Sequence, residues 1–156
     1  MIPPVSTRRP ARLLLLALLW PFAAVAEDPG PTGTWQTIDD DSGEVRSLVE
    51  ITEQDGELRG RVVAIIDPPV PDPVCKACEG ARQGEPIKGM EILWGLTRED
   101  GAWTGGRVLD PESGKIYKAR AELADEGQKL KLRGYVGVSL FGRTQTWQRA
   151  SEKASE

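Results

Sequence analysis

From Gly33 onward the chain repeats one pattern: a short run in which apolar and polar side chains alternate, then a cluster rich in Asp and Gly. Alternation with a period of two sends successive side chains to opposite faces of a strand, and the clusters supply the turns. Eight strands are predicted on this basis, at 33–38, 45–53, 58–66, 90–97, 102–109, from 115 onward, 129–135 and 143–149. The faces follow directly. Leu58, Gly60, Val62, Ala64 and Ile66 share one side of the third strand, and Met90, Ile92, Trp94 and Leu96 one side of the fourth. Trp103, Gly105 and Arg107 share a face of the fifth, Tyr117, Ala119, Ala121 and Leu123 a face of the sixth, and Arg143, Gln145, Trp147 and Arg149 a face of the last. Short strands joined in sequence by short turns, within one domain at 33–150, predict an all-β, single eight-stranded up-and-down antiparallel barrel rather than a sandwich, which needs Greek-key crossings.

Two stretches depart from the pattern. Residues 67–88 carry prolines at 68, 69, 71, 73 and 86, a density that removes ladder donors and forbids a regular strand. Cys75 and Cys78 lie inside this loop. A redox CxxC motif belongs at a helix start after a strand, which this is not, so the motif is read as a structural disulfide. The segment 136–141, bounded by Gly134, Gly137 and Gly142, is either a short helical turn or a bent strand, and local sequence does not choose between them.

The N-terminus changes the accounting. Arg8, Arg9 and Arg12 precede an apolar run from Leu13 to Phe22 and the small-residue triplet Ala24, Val25, Ala26, the layout of a cleaved secretory signal at 1–26. The run is too short for a membrane-spanning helix, so we expect no transmembrane anchor after cleavage and a secreted or periplasmic location. Residues 27–32 form a flexible lead and 151–156 a frayed charged tail in this reading. Removing 1–26 takes three arginines and no acid from 20 basic and 24 acidic side chains, leaving 130 residues with a net charge of −7. Nucleic acid is a poor partner for such a chain. The absence of His excludes histidine triads, and two Cys cannot assemble a common zinc site. No metal or cofactor is expected, and the three acids Asp39, Asp40 and Asp41 are read as a solvated turn, since they lack calcium-loop spacing.

The motifs GTWQTIDDDSGE, GGRVLDPESGKIYKAR and LRGYVGVSLFGRTQTWQR, with the Cys loop between the first two, resemble the secreted bacterial proteins grouped as domain of unknown function 2147. The two ends are also similar to lipocalins, whose first strand carries a GxW triplet and whose last strand carries an Arg over that Trp. Gly33, Trp35 and Arg149 match those positions. The resemblance implies a lipocalin-like barrel in which these three residues close the base and touch no ligand.

The expected function is therefore non-catalytic: a monomer binding a small apolar or amphipathic ligand inside the barrel, with Trp94, Trp103, Arg107, Tyr117 and Tyr135 as candidate ligand-lining residues. The alternative is a cell-envelope interaction or structural protein with a filled barrel, contacting an envelope protein through the 67–88 loop or the segment 134–142. A cavity on the order of 300 Å³ or more separates the two.

Overall fold

The computed structural model describes residues 29–151. The expected signal at 1–26, the first two residues of the lead and residues 152–156 of the tail lie outside the described residues. Eight strands follow in order: β1 (Gly33–Ile38), β2 (Val45–Gln54), β3 (Glu57–Ile65), β4 (Glu91–Glu99), β5 (Ala102–Leu109), β6 (Ile116–Ala124), β7 (Lys129–Tyr135) and β8 (Gly142–Arg149). Each pairs antiparallel with the next, and β8 returns to β1 through Trp35 opposite Arg149 and Gln36 opposite Gln148, so the sheet is a closed up-and-down barrel. Closure leaves no strand edge open to another chain.

This topology gives the barrel two unlike ends. The β2–β3, β4–β5 and β6–β7 hairpins share one end with the lead. The other end collects the β1–β2 turn, the 66–90 loop, the β5–β6 turn and the β7–β8 loop. Inward-facing Trp35, Val49, Ile51, Leu58, Leu96, Leu130 and Trp147 are almost wholly excluded from solvent and fill the first end and the waist.

Register explains which expected faces hold. On β6 and β8 the alternation runs unbroken, so Tyr117, Ala119, Ala121 and Leu123 face inward as expected. On β3 and β4 it does not. Gly60 stands opposite Leu93 and Leu58 opposite Leu96, so two residues of β3 span three of β4, and an extra residue bulges at Trp94–Gly95. A second shift brings Arg61 opposite Glu91 and adds Ile92. Leu93 therefore points inward beside Gly60, while Trp94 turns outward, where the guanidinium of Arg82 stacks 4.7 Å from its ring. On β5 a matching bulge separates Trp103 from Gly106, and Gly105 takes a φ of +77°, which only glycine adopts without strain. The extra residue moves Arg107 to the outside. A shift on β2 between Leu48 and Val49 does the same to the end of β3, so Ile65 packs on the core and Ile66 is exposed.

The Pro-rich loop is held from several sides. Cys75 and Cys78 are bonded to each other and buried. Backbone bonds Cys75 N–H to Glu85 O and Ile87 N–H to Pro73 O, both 2.9 Å, tie its two arms together around a 3₁₀ turn at Gly80–Arg82. Its tip meets the β5–β6 turn, where Gly114 lies so close to Ala77 that a Cβ would stand 2.0 Å from the Ala77 oxygen. The Cys75 sulfur is 3.2 Å from the Pro111 oxygen, a contact without a proton because a disulfide sulfur carries none. The segment 136–141 is neither helix nor strand but a turn, fastened by Phe141 N–H to Val138 O and Val136 N–H to Phe141 O, each 3.1 Å.

Candidate functional site: the cavity at the barrel mouth

The interior is filled at one end and open at the other. Above the layer of Trp147 a cavity of about 480 Å³ opens between the β1–β2, β5–β6 and β7–β8 loops of the mouth. The space exists because the sequence puts small or absent side chains there: Gly134 on β7 and Ser47 on β2 face inward where larger residues fill the barrel lower down. A Cβ on Gly134 would meet Val108 at 3.4 Å and Tyr117 at 3.5 Å, ordinary contacts, so a larger side chain there extends into the cavity.

The wall is graded along the barrel axis. Ile92, Val108, Leu109, Leu132 and Trp147 make an apolar floor. Thr37, Ser47, Tyr117 and Gln145 add uncharged polar groups above it. The Thr37 and Ser47 hydroxyls are bonded to each other at 2.8 Å across β1 and β2, which fixes their direction. At the rim stand charges: Arg143 pairs with Asp40, and Arg46 reaches Glu112 at 2.6 Å and Asp39 at 3.7 Å. Asp39 also accepts the backbone N–H groups of Ser42 at 2.8 Å and Asp41 at 3.1 Å. The Ser42 backbone, then its hydroxyl, hold this carboxyl below its ordinary range. The acidic run is thus a self-bonded turn. Among the described residues no group of three or more His, Cys, Asp or Glu is placed to hold a metal ion.

The residues named from sequence separate in this geometry. Tyr117 and Tyr135 border the cavity. Trp94 and Arg107 do not, because the bulges in β4 and β5 turn them out of the barrel. Trp103 faces inward but at the closed end, under Arg98 at 5.3 Å, so it belongs to the floor's support and not to the cavity. The 67–88 loop contributes nothing to the cavity wall. Sequence reasoning passed over Arg143, Gln145, Thr37, Ser47 and Arg46. A signal existed for the first two, which share the face of Trp147 and Arg149 on β8.

The opposite end is closed by Arg149. Its guanidinium lies 4.3 Å from the centroid of Trp35 and donates to three carbonyls, Nε to Gly127 at 2.8 Å and the terminal nitrogens to Thr32 at 2.9 Å and Gly30 at 2.7 Å. The Trp35 indole N–H donates to Pro31 O at 2.8 Å. Partial burial lowers the arginine pKa without approaching neutrality. Gly33, at φ +122°, leaves the space: a Cβ would stand 3.1 Å from a terminal nitrogen of Arg149. Through these contacts the carbonyls of Gly30, Pro31 and Thr32 are bonded across the barrel base.

A closed eight-stranded up-and-down barrel, plugged at one end and hollow at the other, is a lipocalin-like barrel. The chain is similar to a solved structure, protein HP1028 from the human pathogen Helicobacter pylori, described as belonging to the lipocalin family. The two share a TM-score of 0.69 and 22% identity over 80% of this chain and 86% of that one. At that identity the likeness establishes the fold. The chain belongs to the family of uncharacterized proteins conserved in bacteria, DUF2147, whose model matches residues 33–149. No curated protein matches it. No helix among the described residues is long and apolar enough to cross a membrane.

Proposed function

We propose that the protein is an exported, non-catalytic binding module that holds one small amphipathic molecule in the mouth of its barrel. The observation that carries this reading is the cavity of about 480 Å³, graded from an apolar floor to a charged rim. Small-molecule sites have this size and this mixture, with apolar walls for affinity and a few fixed polar groups for orientation. The ligand's apolar part lies against Trp147, Leu132 and Ile92, and its polar head meets Gln145, Thr37 and Ser47, with Arg143 available to an anionic group that displaces Asp40. Export rests on the basic, apolar and small-residue layout of residues 1–26, and intact mass of the secreted protein should begin at Glu27.

The test uses an apolar fluorescent probe titrated into the protein. Saturable probe enhancement with a change in tryptophan emission is expected, because Trp147 forms the floor. Gly134→Leu fills the cavity from a position where a Cβ meets only ordinary contacts, and should abolish the response at a retained circular-dichroism spectrum. Equal probe binding by Gly134→Leu would refute the cavity as the site.

A further inference from the structure

The β7–β8 loop carries an arrangement that ligand binding does not require. Val136, Val138, Leu140 and Phe141 are 65%, 58%, 83% and 74% exposed, with Ile116 of the neighbouring strand at 50%. Large apolar side chains clustered on a surface protrusion mark a contact site, because water favours their burial. They are not simply awaiting collapse into the cavity. Arg133 fastens the loop's backbone in place, donating from Nε to Ser139 O at 2.6 Å, from one terminal nitrogen to Leu140 O at 3.2 Å and from the other to Thr144 Oγ1 at 3.0 Å. Lys118 adds a bond from Nζ to Gly137 O at 3.2 Å.

The sheet beneath this loop supplies the second observation. The outward positions of β6 and β7 carry Lys118, Arg120, Lys131 and Arg133 against the single acid Glu122. This positive face belongs to a chain whose net charge is −4. Glu122 is paired with Arg120 at 2.6 Å, so Lys118, Lys131 and Arg133 remain in excess on this face for an external anion to meet. The acids of the mouth lie on the β1–β2 and β5–β6 turns, where Asp40 is paired with Arg143 and both Asp39 and Glu112 with Arg46.

We propose that the Val136–Phe141 loop and the cationic outer face of β6 and β7 dock the barrel onto an anionic phospholipid bilayer. A narrow apolar tip flanked by cations matches the interfacial layer, where apolar side chains enter the acyl boundary and Lys and Arg meet phosphate. Val136 and Phe141 also border the cavity, so docking puts the mouth at the membrane surface.

The test is co-sedimentation of the secreted protein, its first residue verified by mass, with vesicles of phosphatidylglycerol and phosphatidylcholine in equal parts. Binding to these and not to pure phosphatidylcholine is expected, weakening with salt. The double variant Leu140→Ser, Phe141→Ser should lower the partition coefficient by about tenfold or more. The double variant Arg120→Glu, Lys131→Glu leaves the loop's bonds to Arg133 and Lys118 in place and should abolish the preference for anionic lipid. Leu140 and Phe141 are exposed, so an unchanged melting temperature should accompany their variant, whereas Arg120→Glu, Lys131→Glu breaks the Arg120–Glu122 pair and is assayed well below its own melting temperature. Absence of binding to the anionic vesicles overturns the proposal, as does full binding by either double variant. A lipid-free dimer in sedimentation velocity that Leu140→Ser, Phe141→Ser dissolves would instead make a second copy the occupant of this face. Probe binding in the cavity is measured without lipid, so the two proposals fail separately.

Discussion

Replacing Arg149 by Ala removes four interactions at once from the closed end of the barrel. The bond from Nε to Gly127 O is partly buried and is worth about 1.5 kcal/mol as a charge-assisted bond. The two terminal bonds, to Thr32 O and Gly30 O, are exposed and contribute about 0.5 kcal/mol each after solvent screening. Stacking over Trp35 adds about 1 kcal/mol. Against this total, the freed side chain recovers about 1 kcal/mol of rotamer entropy, leaving a loss of about 2.5 kcal/mol. Unfolding entropy scales at about 2.1 cal/mol/K per residue, so the roughly 120 residues from Pro29 to Ser151 convert this into a fall of about 10 °C in Tm. Thermal unfolding followed by tryptophan emission and by circular dichroism measures it. Arg149→Lys keeps the charge without the planar fork and should recover less than half of the loss. The cavity lies at the far end, so probe affinity should be unchanged in both variants. A fall in Tm below about 2 °C, or lost probe binding at unchanged Tm, would refute the assignment of Arg149 to closure.

Gly106→Ala should destabilise the barrel by several kcal/mol, on the order of an overpacked core, because the new Cβ would stand 2.6 Å from Trp94 O and 2.5 Å from a Leu96 carbon; urea unfolding gives the value. Cys75→Ala with Cys78→Ala should cost no more than about 2 kcal/mol, since the bond closes a very short loop. Hydrogen exchange should localise the change to residues 73–89 and the β5–β6 turn, sparing the cavity floor. Asp39 should titrate below its ordinary value of 3.8, because its charged form is the one the Ser42 N–H and hydroxyl stabilise. The folded pKa is depressed, so the turn's contribution is complete above pH 3.8 and is lost as pH falls through the folded value. Carboxyl NMR on the folded protein checks this, and a midpoint at or above 3.8 would contradict the turn's hydrogen bonding.

By itself the sequence determined the strand count, the turns and the two ends of the barrel. Period-two alternation is a local property, and in β6 and β8 it survives intact into the structure. The Trp35 and Arg149 pairing was legible only through the resemblance of the two ends to lipocalins; closure of a meander says that first and last strands meet, without saying which residues do. Tertiary structure decided the rest. A bulge adds one residue to one strand only, and that residue is defined by what lies across the ladder: nothing within 102–109 says that Arg107 changes sides, or within 90–97 that Trp94 does. Height along the axis is equally invisible from one strand. Trp103 and Trp147 both point inward, yet strand stagger leaves the first at the closed end and makes the second the cavity floor. Arg143 and Gln145 joined the site for the same reason: they extend the inward face of β8 beyond the level at which Gly134 and Ser47 leave the barrel empty, and only the closed sheet brings those three strands to one height.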